Sequence, residues 1–549
     1  MRYFILVILL NSYNIIYSQN SIYNDIGKNR IQYDSFDWEV MYSNNFEFYY
    51  NSNALNIAEI ASSHLESTFS EFTNNVGHQP FQKTKVFIYN SEKDKKQSNI
   101  GINETDKFLS SNLNFNNRII FKVAYSSNIN IFKRNLSYEF SKVLISDLMH
   151  GNLSFAKRFG KVSFINIPKW FSDGAARFLA YGWDLEMDNI IRDYFLTENK
   201  KSLNKITDEQ SVFIGQSIWN YISIIYGKNT ISNIINLTKI IRNPEKAISS
   251  SLGVNFNSFI ENWSNYYYSN ITNKYKREEL QNSKNLKFKN FDKIIDLKKN
   301  SSSEYILFSA IKGNFKKLIL YNIESHKIKV LDKIRFTTRD ESYFLKWKDS
   351  ENIAYIKNIK GENVLISRNI YNNNKSYKSL NKFDKIHGFS FNSNQNLIAI
   401  SASVNNQSDI YLLSANSSNL KKITDDKSHD IHPSFLKNST SIIFSSNRKQ
   451  TKLNSINTFN NTNNFYNLFL YNLDTTSNEL FQITNSLSNN IKASPLSNNE
   501  ILFLSDVKGI QNIYKTKVNG NLKQITDFNT NVINFSFDEK TKNLSYNFL

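Results

Sequence analysis

The chain has 549 residues, 40% of them hydrophobic, so it is long enough for about two to four domains with buried cores. It contains no cysteine, which excludes disulfide bonds and any zinc, haem or iron–sulfur site that depends on thiolates. The formal net charge is +19, but the basic residues form no stripe and no nucleic-acid motif appears, so we expect no nucleic-acid partner.

The first twenty residues, MRYFILVILLNSYNIIYSQN, predict a secretory signal peptide. Arg2 supplies a short positive start, residues 4–10 an apolar core, and Ser18 a small residue at the cleavage point. No cysteine follows, which argues against a lipoprotein anchor. No later segment reaches the roughly 18 apolar residues of a membrane helix. We therefore expect an exported protein without a transmembrane segment.

From residue 20 to about residue 280, strand and helix patterns alternate. Residues 56–77 have apolar side chains at helical spacing, which predicts an amphipathic helix, and another helix is expected at about 133–149. Strands are predicted at FEFYY (46–50), TKVFIYN (84–90) and RIIFKVAY (118–125). Further helices are predicted after PKWFSDGAARFLAYG and through WNYISIIYG, NTISNIINLTKII and FNSFIENWSNYYYSNI. This half is therefore a mixed α and β region.

From about residue 285 the pattern changes to short strands with Asn/Ser/Gly turns, and one phrase recurs. LKKITDD (420–426), LFQITNS (480–486) and LKQITDF (522–528) start 60 and 42 residues apart, because an Asn-rich insertion at about 449–465 lengthens one unit. Two looser copies precede them. A period near 40 residues with four strands is typical of a β-propeller blade.

The final unit has only about two strands, so closure of the ring is a separate question. An open edge favours aggregation, and propellers commonly pair a strand from one terminus into the last blade. We expect residues 287–297 to supply that strand, which gives six blades. The alternative is that the chain is the front part of a longer one.

The second half resembles the TolB-type propeller. The motifs that carry the resemblance are HPSF (432–435), FSSNR (444–448), LSDVKG (504–509), DIY (409–411) and NIY (512–514), together with the repeated IT phrases. The resemblance implies an all-β propeller of about five to six blades.

The first half resembles a gluzincin-like (peptidase MA-like) domain that is fused to such propellers in exported proteins of Bacteroidetes. The matching segments are residues 27–50, SYEFSKVL (137–144), PKWFSDGAARF (168–178) and GQSIWNYISIIYG (215–227). The two resemblances imply an α+β metallopeptidase-like N-terminal domain followed by the propeller. The expected boundaries are 1–18 for the signal peptide, 19–282 for the peptidase-like domain and 283–549 for the propeller.

The family commonly carries H-E-x-x-H on one helix and P-x-W-F-x-E-G-x-A on the next, where the second Glu is the third zinc ligand. Here Tyr138 and Lys142 stand at the two His positions, and Asp173 replaces the ligand Glu. Glu139, at the general-base position, remains. A lysine cation repels Zn²⁺, so we expect no metal and no cofactor. The ammonium is expected near Asp173 and Glu139; the alternative is that Lys142 reaches solvent.

Three functions follow from these residues. The first is a non-catalytic binding or scaffold protein of the cell envelope, in the periplasm or at the outer membrane, with a peptide groove and a protein partner held by the propeller. The second is a zinc peptidase-like hydrolase with residual or unconventional activity that uses Glu139. The third is a carbohydrate-binding or carbohydrate-hydrolysing propeller, although the sequence shows no recognisable pair of catalytic carboxylates.

Overall fold

A computed structural model describes most of the chain. The described residues are 35–98, 100, 119–150, 167–196, 208–272, 286, 288, 291–335 except 314, 344–359, 362–454 except 406 and 439, 462–475, and 479–548 except 539 and 540. The predicted signal peptide (1–18) and the predicted boundary at 282/283 lie outside them. Within them, no helix is both long and apolar enough to cross a membrane.

The N-terminal region is built on one four-stranded sheet in the order β1-β2-β3-β4. Its strands are β1 Trp38–Tyr42, β2 Phe46–Asn51, β3 Thr84–Tyr89 and β4 Ile120–Ala124. The first pair is antiparallel and the other two pairs are parallel. Every second residue of β2 is buried, so one face of the sheet packs against helices.

Nine described helices accompany this sheet. They are α1 Leu55–Val76, α2 Glu92–Gln97, α3 Ile129–His150, α4 Lys169–Tyr181, α5 Leu185–Leu196, α6 Asp208–Tyr226, α7 Asn229–Ile241, α8 Pro244–Leu252 and α9 Phe256–Thr272. The strands predicted from β-patterns and the helix predicted at 56–77 are confirmed. The helix predicted at about 133–149 begins four residues earlier, at Ile129.

The helices share one core with the sheet. Phe140 of α3 stacks on Phe69 of α1 with ring centroids 5.8 Å apart, and it also meets Phe46 of β2 at 5.1 Å. The helix α4 packs against both α3 and α6. This arrangement fixes the relative position of α3 and α4. These two helices carry Tyr138, Glu139 and Lys142 (α3) and Asp173 (α4).

The second half forms a β-propeller with five four-stranded sheets, each with its strands in sequential order. The first two sheets are β5 Lys293–Lys299, β6 Tyr305–Lys312, β7 Phe315–Asn322, β8 Ile328–Arg335, and β9 Leu345–Trp347, β10 Asn352–Ile359, β11 Glu362–Asn369, β12 Lys375–Ser379. The third and fourth are β13 Lys385–Phe391, β14 Leu397–Val404, β15 Gln407–Ser414, β16 Leu420–Lys422, and β17 Asp430–Phe435, β18 Ser441–Arg448, β19 Thr462–Asn472, β20 Phe481–Gln482. The fifth is β21 Asn490–Pro495, β22 Glu500–Ser505, β23 Asn512–Lys517 and β24 Lys523–Gln524.

A two-stranded sheet, β25 Val532–Phe537 and β26 Leu544–Phe548, follows the fifth blade and packs against β5 of the first. Apolar side chains of the fifth sheet, including Leu504 and Ile513, pack on its other side. The Lys299 ammonium meets the Asp538 carboxylate at 2.6 Å, and Lys298 donates to the Phe535 carbonyl at 3.1 Å. The two-stranded sheet therefore closes the ring as a sixth, incomplete unit.

The expectation that residues 287–297 pair with the last unit is wrong. The strand in this region, β5, forms an antiparallel pair with β6 and belongs to the first blade. A short turn joins β5 to β6, and neighbouring strands in sequence commonly pair with each other. The strand β5 therefore belongs to the first blade, and the last unit consists of its own two strands, β25 and β26.

The N-terminal region is joined to the propeller by polar contacts at the start of α3. Ser127 donates to Ser403 Oγ at 2.7 Å, and the Asn128 amide donates to the Tyr466 hydroxyl at 2.6 Å. The Asn128 carbonyl oxygen accepts the backbone N–H groups of Asn130 and Ile131, so the same side chain caps the helix.

Candidate functional site

The site lies where α3 and α4 pack together. Tyr138, Glu139 and Lys142 are on α3, at positions that one helical turn brings together. Asp173 lies in the first half of α4. The structure therefore brings Tyr138, Glu139, Lys142 and Asp173, the four residues singled out in the sequence, to one helix–helix contact.

Lys142 is paired within its own helix. Its Nζ atom lies 2.8 Å from Glu139 Oε2 and 4.7 Å from the centre of the Tyr138 ring. The two charged side chains are 31% and 24% exposed, so water reaches the pair without surrounding it. Burial opposes the charge on Lys142, but Glu139 and Tyr138 outweigh burial and raise the pKa of Lys142. Lys142 is a permanent cation at neutral pH.

Asp173 is close enough to Lys142 to feel its charge, but the lysine pairs with Glu139. Ser172 donates to Asp173 Oδ1 at 3.1 Å. Burial raises the pKa of Asp173, and Lys142 opposes that increase. Burial also raises the pKa of Tyr138 to about 12, so its hydroxyl keeps its proton at neutral pH.

These residues do not fit a zinc ion. A zinc protease uses three neutral or anionic ligands, whereas this set offers a protonated phenol, an ammonium and one carboxylate. The ammonium lies 2.8 Å from the Glu139 carboxylate. In the described part of the chain, no three His, Asp or Glu side chains gather closely enough to hold a metal ion.

Two further residues belong to the site, although sequence reasoning did not select them. The Arg177 guanidinium lies over the rings of Tyr181 and Phe213, at 4.3 and 4.6 Å from their centres. Tyr181 also donates to Asn135 Oδ1 of α3 at 2.7 Å. Arg177 and Tyr181 follow Asp173 by four and eight residues, so helical spacing alone would have assigned them to the same face.

Two glycines, Gly174 of α4 and Gly215 of α6, allow these helices to pack closely together. A Cβ on Gly174 would lie 2.7 Å from Gly215 Cα, and a Cβ on Gly215 would overlap the Trp170 carbonyl oxygen. Trp219 of α6 donates to the carbonyl oxygen of Phe171 at 2.9 Å. Gly174 and Gly215 therefore permit the close approach of α4 and α6.

No family model and no curated protein matches the chain. Solved structures similar to it include TolB from Acinetobacter baumannii, at 14% identity and a TM-score of 0.32, over 44% of this chain and 54% of that one. A putative TolB from Agrobacterium tumefaciens is 12% identical with a TM-score of 0.36, over 47% and 90% of the two chains. The tricorn protease is 12% identical with a TM-score of 0.31, over 46% and 28%. The chain thus spans about half the length of the first TolB.

Proposed function

We propose that this protein is a non-catalytic binding or scaffold protein that is exported to the cell envelope. In this proposal the N-terminal region has the architecture of a zinc peptidase without its chemistry, and the propeller holds a protein partner. The periplasm or the outer-membrane surface is the proposed location. The predicted signal peptide supports export.

One observation carries the non-catalytic part of the proposal, namely the 2.8 Å ion pair between Lys142 and Glu139. A general base in a zinc protease acts on a metal-bound water, and its neighbours on the helix are metal ligands. Here the neighbour is a cation whose raised pKa keeps it charged. The local field at Glu139 therefore repels a divalent cation, which opposes the usual zinc route.

The test compares the wild type with a variant in which the family motif is restored by Tyr138→His, Lys142→His and Asp173→Glu. Both proteins are dialysed against zinc, and bound metal is measured by mass spectrometry. We expect no stoichiometric zinc in the wild type and about one equivalent in the triple variant. Stoichiometric zinc in the wild type, with peptide turnover that chelation abolishes, would overturn the proposal.

The alternative is a hydrolase with unconventional activity, and the retained, partly exposed Glu139 favours it. Glu139→Gln separates the two functions. A hydrolase loses peptide turnover in this variant, whereas a scaffold has no turnover to lose and retains the partner recovered by cross-linking in the envelope. The Gln side chain keeps the size of Glu, so the comparison isolates the charge.

A further inference from the structure

The innermost strands of the propeller carry an unusual set of charges. The first strand of each sheet faces the axis, since β25 contacts β5, β5 contacts β9, β13 contacts β17 and β17 contacts β21. The blades of a propeller surround a central channel, and these strands line it. Here they carry Lys298, Lys346, Lys492, His432 and one acid, Asp296, and all five side chains are half-buried.

The pairing registers show that these residues occupy two neighbouring levels of the ring. Lys298 and Lys346 each pair with the third residue of the following strand. Three further sheets have serines at this same level, Ser390, Ser434 and Ser494. Two residues earlier, the next level holds Asp296, Gly388, His432, Lys492 and Asn534. Lys298 and Lys346 therefore share one level of the ring, and His432 and Lys492 share the next.

The backbone at His432 and Lys492 is held in an unfavourable conformation. Their φ angles are +54° and +56°, in the left-handed region, and each lies at a β-bulge in its strand. In the neighbouring β13 the same position is Gly388. Two bulky residues that adopt a conformation suited to glycine indicate that their side chains are needed where the bulge directs them.

The charges on these strands do not balance. Lys492 donates to the Ile533 carbonyl at 2.9 Å and to Asn534 Oδ1 at 2.5 Å, and both acceptors are neutral. Within the described ranges, the Lys346 ammonium has no hydrogen-bond or ion-pair partner, and the buried Nδ1 of His432 has no hydrogen-bond partner. Three ammonium groups face a single described carboxylate.

Burial lowers the pKa of both Lys346 and Lys492 to about 8. Burial also brings the pKa of His387 and His432 well below the usual value and lowers that of His429 to about 3. At pH 7 the lysines are charged and the histidines neutral. A buried excess of positive charge is costly unless an anion accompanies it.

We propose that the interior of the propeller binds a small oxyanion, a phosphate or a carboxylate, in the channel that Lys346 and Lys492 line. Lys298 adds positive charge on the adjoining strand, and His432 Nδ1 and the serine hydroxyls supply hydrogen bonds. This site is separate from the α3–α4 contact, so it stands or fails independently of the function proposed above.

The experiment measures binding of inorganic phosphate, citrate and sulfate to the full chain by calorimetry at constant ionic strength. The test variant is Lys346→Met with Lys492→Met. The control is Lys375→Met with Lys421→Met, which removes the same charge from exposed outermost strands. We expect saturable binding of one phosphate or citrate per chain, at least tenfold weaker in the test variant and unchanged in the control.

A stronger response to phosphate identifies a phosphate ligand, and a stronger response to citrate identifies a carboxylate. Equal affinities in the test and control variants, or no saturable binding by the wild type, would overturn the proposal. Lys346→Gln alone provides a second measurement if the double variant does not fold. It removes one charge and retains a hydrogen-bonding side chain.

The pH dependence adds a readout that a merely structural role would not change. Sulfate keeps its charge between pH 7 and 9.5, whereas Lys346 and Lys492 lose protons across this range. The other groups around them are Asp296, Lys298, His387, His429 and His432. The histidines are already neutral at pH 7, so they do not contribute to the change. Sulfate affinity should fall at least fivefold, and a flat profile contradicts the assignment.

Discussion

Lys142 lies between two carboxylates, Glu139 on its own helix and Asp173 on α4. A half-exposed ion pair of this kind contributes about 1 kcal/mol or less, because water screens it and both side chains lose freedom. The pair therefore matters less for stability than for charge. It keeps a cation beside Glu139 and close to Asp173.

The first prediction concerns this pair. Lys142→Met should lower the free energy of unfolding by about 1–2 kcal/mol, because two neighbouring carboxylates lose their cation. In a Glu139→Gln background the same change should cost about 1 kcal/mol less, as measured by urea unfolding in a double-mutant cycle. Additive effects of the two substitutions would show that the pair is not formed in solution.

The second prediction concerns Asp173, whose pKa burial raises. The folded chain then binds a proton at Asp173 more tightly than the unfolded chain does, so stability from this group falls as pH rises above its ordinary pKa of about 3.9. Asp173→Asn should therefore stabilise the protein at pH 7 and have little effect at pH 3. The exposed Asp474→Asn serves as the control, and a stabilisation that is independent of pH would contradict the argument.

The helices α4 and α6 cross at Gly174 and Gly215, and the approach leaves no room for a Cβ. This crossing fixes α4, and with it Asp173, Arg177 and Tyr181. Close packing of this type is rigid, because atoms in a packed interior cannot move without displacing their neighbours.

The third prediction tests this crossing. Alanine favours a helix over glycine by about 1 kcal/mol, so without a clash each substitution would stabilise the protein. We expect the reverse, with Gly215→Ala costing about 2 kcal/mol or more and Gly174→Ala costing less, measured by thermal unfolding. A higher melting temperature for either variant would mean that the helices are not in contact.

Local patterns predicted the elements well, because alternation and helical spacing depend on residues within a few positions of each other. FEFYY, TKVFIYN and the helix at 56–77 were all found in this way. The partner of Lys142 was harder to predict, since spacing brings Glu139 and Asp173 equally near and only side-chain geometry selects one. Ring closure could not be predicted either, because it joins residues more than two hundred positions apart, such as Asn534 and Ile295.

The whole propeller is a ring whose last unit has two strands where the other five have four. Fewer backbone hydrogen bonds hold this unit together, and side chains join it to the neighbouring sheets. Asp538 accepts hydrogen bonds from Lys299, Ser303 and Thr541, and it is almost completely buried. This carboxylate joins the last unit to the first blade.

The fourth prediction concerns this junction. Burial alone would raise the pKa of Asp538, but the hydrogen bonds it accepts lower the pKa well below its usual value. Its stabilising contribution is therefore present above the unfolded pKa and is lost as pH falls below about 4. Asp538→Asn should cost about 2 kcal/mol at pH 7 and less at pH 3, measured by chemical unfolding.

The control for this junction is Asp527→Asn, an exposed aspartate in the same part of the chain that changes the net charge equally. It should leave stability within about 0.5 kcal/mol of the wild type at both pH values. A similar loss in both variants would mean that net charge, and not closure of the ring, explains the effect.

The Asn128 side chain serves both halves of the molecule at once, because one end of its amide holds the first turn of α3 and the other end holds Tyr466 of the fourth blade. The helix that begins at these contacts is 22 residues long and also carries Tyr138, Glu139 and Lys142. A substitution at Asn128 therefore removes a helix-capping acceptor and a contact between the two regions together, so the start of α3 and its junction with the fourth blade depend on the same side chain.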